Sequence, residues 1–270
     1  MHSHKLFEDV HESAYTVLKE HSSTLPDSLD VTAARAKADC YEGYLELGNA
    51  LVRQFRYHEA IEAFTLAVNE KPEELRPLRL RAARYLTTLQ LDNAAADFKK
   101  CLELGGEELD VKYRLGLCAY YSADYVLAMD YFEQCEPIAE DSMKIAAIYW
   151  HSIAAFRCGE APKLLDKYHV GMNVGHHIGY EKCSGVYSGA YLFENILRET
   201  EEIESDLDYA ILAYGLAEYM LCTGNKEQGM ELLRKIIKRE GFWPCFAYLA
   251  AWNDVYRHRD RKSGSAGMPR

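Results

Sequence analysis

Prolines and glycines are sparse in this chain: seven and seventeen of 270 residues, which leaves room for long helices. Cysteine motifs are absent too. Eight cysteines are scattered from Cys40 to Cys245 with no CxxC pair, so neither a zinc ribbon nor a disulfide framework is expected. Long hydrophobic runs are missing. The most apolar stretch, Ile145 to Phe156, is broken by His151 and Ser152 and is too short to span a bilayer. The first twelve residues contain Glu8, Asp9 and Glu12, unlike a signal peptide, and reduced thiols in a cytoplasmic protein are the expectation. Positive charge is in deficit. The net charge is −11, and residues 257–270 hold five basic residues against one acidic, leaving −15 on the rest. Such a body repels phosphate backbones, which argues against nucleic acid as the ligand.

Nucleotide and hydrolase motifs are likewise lacking. There is no GxGxxG or GK[ST] phosphate loop, and Gly185 to Gly189 does not form the G-x-S-x-G elbow. Gly171, Gly175 and Gly179 read as a mobile connection or a close helix crossing. His176 and His177, with Glu181 and Cys183 nearby, sit on adjacent positions that diverge on a helix, so no metal site is expected. No cofactor and no catalytic constellation are predicted.

What the chain does have is internal repetition. A shift of 34 residues superposes three copies, 41–74, 75–108 and 109–142. A small residue recurs at Gly48, Ala82 and Gly116, and alanine at Ala60, Ala94 and Ala128. Phenylalanine recurs at Phe64, Phe98 and Phe132, followed three residues later by Ala67, Cys101 and Cys135. With nine phenylalanines in the whole chain, three in one register are not coincidence. Two short helices cannot each hide an apolar stripe alone, so a helical hairpin must stack on its neighbour. The small residue admits the second helix, and the phenylalanine fills the space between hairpins.

These residues resemble the tetratricopeptide-repeat (TPR) family. The first copy carries the pattern almost complete: Tyr44, Leu47, Gly48, Ala60, Phe64, Ala67 and Pro72. The resemblance implies an all-α fold, a right-handed superhelical solenoid of antiparallel helix pairs whose concave face receives a peptide.

The flanks are read from pattern. Residues 1–28 form an N-terminal helix (Leu6–His21) and linker. Residues 29–142 hold the three repeats, with a leading helix that runs from about Asp30 into the first. Residues 143–171 form a degenerate fourth pair, Met143–Arg157 and Ala161–Gly171. Residues 172–207 are an irregular insert with a helix near Val186–Leu197. Residues 208–257 hold a late pair, Asp208–Cys222 and Lys226–Arg239, and a capping helix opened by Trp243-Pro244. The basic tail, 258–270, is predicted disordered.

The resemblance places the groove on the first helix of each pair, at the second, fifth, ninth and twelfth positions, which share one helical face. These are Glu42, Leu45, Asn49 and Val52; Arg76, Arg79, Ala83 and Leu86; Asp110, Tyr113, Leu117 and Tyr120. The expected contacts are Leu45, Asn49, Val52, Arg76, Arg79, Tyr113, Arg114, Leu117 and Tyr120, with the arginines steering acidic groups. Truncating Tyr113 or Tyr120 should cost on the order of 2 kcal/mol if either is an anchor. Their alternative role is packing within the chain or against a second copy. Family members that clamp the C-terminal carboxylates of Hsp70 and Hsp90 use lysine, two asparagines, lysine and arginine. Here Leu45, Asn49, Leu80, Asp110 and Arg114 stand there, and only Asn49 and Arg114 agree. The expectation is therefore a non-enzymatic scaffold or adaptor for a protein or peptide, with a dedicated client chaperone or a peptide-sensing regulator as alternatives, and homodimerisation open.

Overall fold

The computed structural model describes residues 26–264, with side chains described to residue 256. The expected helix Leu6–His21 and the last six residues of the tail lie outside that range. The described chain is all helical. It divides into two compact units, Met1–Cys118 and Ala119–Arg270.

The first unit holds α1 (Leu29–Arg35), α2 (Tyr41–Arg53), α3 (Tyr57–Glu70), α4 (Leu75–Thr87), α5 (Leu91–Glu103) and most of α6 (Glu108–Tyr121). Helix α1 is separate from α2, contrary to the continuous helix expected. Ser28 caps it by accepting from the Val31 amide, and the chain turns at residues 36–40 before α2 starts. The turn passes so close to α2 that a Cβ on Gly43 would meet the Lys37 carbonyl at 2.0 Å.

The 34-residue repeat is written into the backbone as well as the side chains. Phe55, Leu89 and Ala123 have φ of 58°, 55° and 61°, a left-handed conformation that residues bearing a Cβ rarely adopt. Each follows the first helix of a hairpin. The next amide then reaches back five residues: Arg56 donates to the Leu51 carbonyl, Gln90 to Tyr85 and Asp124 to Ala119, at 2.8–3.0 Å. These bonds satisfy carbonyls that a helix end leaves open and turn the chain into the second helix.

The side chains follow the same register. Ala60, Phe64, Ala67, Ala94, Phe98, Cys101, Ala128, Phe132 and Cys135 are all fully buried. Gly48 meets the Phe64 ring so closely that a Cβ there would lie 2.3 Å from Phe64 Cε1. Between α4 and α5, Arg81 grips Asp97 through two bonds of 2.7 and 2.8 Å.

The second unit contains α7 (Tyr125–Cys135), α8 (Asp141–Cys158), α9 (Ile178–Tyr187), α10 (Phe193–Thr200), α11 (Asp206–Cys222), α12 (Lys226–Ile237) and α13 (Phe246–Gly264). Helix α8 is buried from Ile145 to Ala155 because α7, α9 and α11 pack around it. This explains its apolar run without recourse to a membrane, and no helix among the described residues is long and apolar enough to cross one.

Three expectations change here. The second helix of the fourth pair is not formed. Residues 163–167 make a 3-10 turn after Pro162, and beside α7 the helical partners of α8 come from farther along the chain. The helix placed at Val186–Leu197 is split into α9 and α10, with Gly189 at φ 78° in the break. The glycine series agrees with its reading at Gly179, which lies in α9 at a close helix crossing where a Cβ would touch Ile211 of α11 at 2.8 Å, while Gly171 and Gly175 are left-handed turn residues. The capping helix begins at Phe246 and its backbone continues to Gly264, beyond the end expected near Tyr256.

The late pair keeps the repeat's logic. Gly224, at φ 101°, takes the left-handed place between α11 and α12, and the Asn225 amide reaches back to the Met220 carbonyl at 2.8 Å. Leu233 is fully buried where the repeats have phenylalanine.

Candidate functional site

The face expected to bind lies on the first helices of the hairpins in the first unit. Helix α4 supplies Arg76 and Arg79, both exposed. Their spacing of three residues brings them to one side of the helix. Arg79 Nε donates to Asp110 Oδ2 at 2.9 Å, and Arg114 Nε donates to Asp110 Oδ1, also at 2.9 Å. Asp110 therefore joins α4 to α6 through both of its oxygens. Burial works against its charge, but the two guanidinium groups outweigh that cost and hold its pKa below the usual carboxylate range.

Asp110 thus does not stand as an uncompensated negative charge. It pairs with two of the arginines that the sequence assigned to an incoming acid and offsets one of their two charges. Nearby in sequence, Arg84 lies over the Tyr57 ring at 4.6 Å. Loss of water lowers its pKa, and the charge of Arg114 adds to that. Sequence spacing did not single out Arg84, because it falls outside the four groove positions of the repeat.

Asn49 and Val52 on α2 are half-buried, and Val52 packs on the core of the unit. Leu45, 2% exposed, belongs to that core, with Val31 and Ala34 of α1 in the same cluster. Tyr113 and Leu117 are buried as well, at 6% and 0%. The apolar half of the expected contact set is thus engaged in packing, and the accessible part is mainly Asn49, Val52, Arg76, Arg79 and Arg114.

Tyr120 requires a correction. It belongs to the second unit, where it is 3% exposed. Its ring meets Trp150 edge-on at 5.2 Å, and its hydroxyl lies 2.7 Å from that of Tyr214. Aromatic surface from α8 and α11 gathers around this position, so the ring fills a core and does not line a groove.

His176 and His177 precede α9, and no group of three or more metal-ligating side chains occurs among the described residues. Cys183 is buried against the Leu212 carbonyl, and burial pushes its thiol above the usual range, the opposite of an activated nucleophile.

One of the helix pairs that repeat every 34 residues is matched by sequence comparison. Residues 41–74 fit the family model of the tetratricopeptide repeat. The match to that family covers one repeat of this chain. Hsp70-Hsp90 organizing protein 3 of Arabidopsis thaliana is 27% identical over 89 residues, 33% of this chain and 16% of that protein. The Hsp70-Hsp90 organizing protein of Triticum aestivum is 28% identical over 88 residues, 33% of this chain and 15% of the relative. The aligned stretch is thus less than a fifth of either curated relative. Among solved structures, YrrB, described as a TPR protein with an unusual peptide-binding site, is 16% identical. The alignment covers 87% of this chain and 98% of YrrB, with a TM-score of 0.43.

Proposed function

We propose that this TPR protein is a non-enzymatic adaptor in the cytoplasm whose first unit holds an acidic segment of a partner protein. Proteins built from these repeats generally mediate protein–protein interaction. The observation that carries the finer reading is the row of arginines on one face. Arg76 is exposed and makes no ion pair among the described residues, while Arg79 and Arg114 share a single carboxylate, that of Asp110. A partner carboxylate gains charge-assisted hydrogen bonds from Arg76 and competes with Asp110 for Arg79. Asn49 and Val52, half-buried on α2, add an amide and a small apolar surface to the expected face.

The Hsp organizing relatives raise a C-terminal carboxylate clamp as a second reading. Leu45 sits in the core, Leu80 packs against it, and Asp110 already pairs with Arg114. Three of the five clamp positions therefore offer nothing to a terminal carboxylate, and an internal acidic segment is favoured.

The test is affinity capture from native lysate with the full chain and with the Arg76→Ala/Arg79→Ala variant, read by mass spectrometry. Loss of the captured proteins in the variant, with acidic segments among those lost, is the expected result. A single stoichiometric client would make the protein a dedicated chaperone, and several would make it an adaptor. Capture of the same proteins by both forms would refute this placement of the site.

A further inference from the structure

In the second unit, one guanidinium, on a side chain 14% exposed, faces two buried carboxylates. Arg157, in the last turn of α8, donates Nε and Nη2 to the carboxylate of Glu218 on α11. The same Nη2 also donates to Asp254 Oδ2 on α13 at 2.7 Å. Glu218 is 0% and Asp254 5% exposed. Tyr214 donates its hydroxyl to Asp254 Oδ2 at 2.8 Å. Helix α13 is tied in on a second side as well. Asn253 Nδ2 donates to the Tyr121 carbonyl at 2.7 Å, and the Tyr121 hydroxyl donates to the Phe246 carbonyl at 2.8 Å.

The charges do not balance. Two carboxylates against one guanidinium leave an excess negative charge, which burial of both carboxylates screens poorly. Among the described residues, the groups facing the cluster supply no second cation. Helix α6 contributes Tyr120, with Tyr125 of α7 beside it; α9 contributes Tyr187; α11 itself adds Tyr214 and Cys222. Each of these is neutral at physiological pH. The remaining way to cancel the excess charge without opening the core is to bind one proton.

We propose that Arg157, Glu218 and Asp254 form a proton-operated latch that locks α13 onto α8 and α11. With a proton bound, the cluster is neutral and α13 is held. When the proton leaves, the excess buried charge works against the closed arrangement and α13 opens more often. Opening exposes the buried face that carries Leu249 and Trp252.

Glu218 is the group that takes the proton. Burial raises its pKa most, Arg157 works against that and the charge of Asp254 adds to it, so that it is pushed up to about 7. A carboxyl whose folded-state pKa is raised gives stability that is fully present below its unfolded value. That stability is lost as pH rises through the folded value. The window is therefore acidic to neutral. His151 and His177, whose pKa values burial lowers, act with the opposite sign below about pH 6.5.

Amide hydrogen exchange of the full chain at pH 6 and pH 8, corrected for intrinsic rates, tests the latch. Protection of amides 246–256 should fall about tenfold between the two, as expected for a folded pKa near 7 against an ordinary unfolded value. Glu218→Gln and Asp254→Asn each remove the excess charge and should abolish the difference. Equal wild-type protection at both pH values, or the full difference surviving in either variant, would overturn the proposal. Should neither variant fold, carbon NMR of the Glu218 carboxyl in the wild-type chain decides. A midpoint near 7 supports the latch, and one below 5 removes it.

Discussion

Replacing Gly48 by alanine probes the repeat at its tightest point. An ideal Cβ at this position falls 2.3, 2.6 and 2.7 Å from three carbons of the Phe64 ring. Carbon atoms in contact settle near 3.5–4.0 Å, so ring or helix must retreat by roughly 1 Å. Phe64 is fully buried, with Ala60, Ala63 and Ala67 in the same core cluster, and has no free space to retreat into. Overpacking of this kind costs about 1–3 kcal/mol. Against it stands the higher helix propensity of alanine, about 1 kcal/mol. The net expectation is a loss of about 1 kcal/mol, and the second repeat shows why it is not larger. Ala82 occupies the equivalent place beside a fully buried Phe98, so the hairpin can accommodate a Cβ when its spacing is set for one. Guanidinium denaturation followed by far-ultraviolet circular dichroism measures the change directly. Combining Gly48→Ala with Phe64→Leu should recover part of the loss, because the smaller side chain vacates the contested volume. A Gly48→Ala chain stabilised by the full propensity gain would refute the close approach, and with it the account of why the repeat demands a small residue here.

Further outcomes follow from other features. Ala123→Gly relieves a left-handed φ of 61° and should stabilise by up to about 1 kcal/mol, whereas Gly224→Ala at φ 101° should cost about 1–2 kcal/mol, both read by thermal melting. Tyr120→Phe removes a buried hydroxyl pair and should cost about 1 kcal/mol in stability while leaving partner capture unchanged; weakened capture without lost stability would return Tyr120 to the groove. His151 is buried, with Nε2 at 3.2 Å from Glu133 and Nδ1 lacking a partner. Burial lowers its pKa, so the stability it contributes is present above about pH 6.5 and lost as pH falls through the folded value. Urea midpoints at pH 7 and pH 5 should therefore move closer together in His151→Leu than in the wild type.

The sequence by itself determined the hairpins. Contacts between a helix and its immediate neighbour recur at every repeat, so Gly48, Ala60 and Phe64 leave a periodic trace that reappears 34 and 68 residues on. The left-handed turns at Phe55, Leu89 and Ala123 have the same period, yet composition hides them, because none is glycine. Only the tertiary structure decided what happens where the period fades. Arg157 meets Glu218 across 61 residues and Asp254 across 97, separations that no repeat encodes. Whether Tyr120 faces a groove or a core, and whether Asp110 repels an acid or already holds two arginines, depends on which helix lies opposite. A face is fixed by helical geometry, but its occupant is fixed by packing.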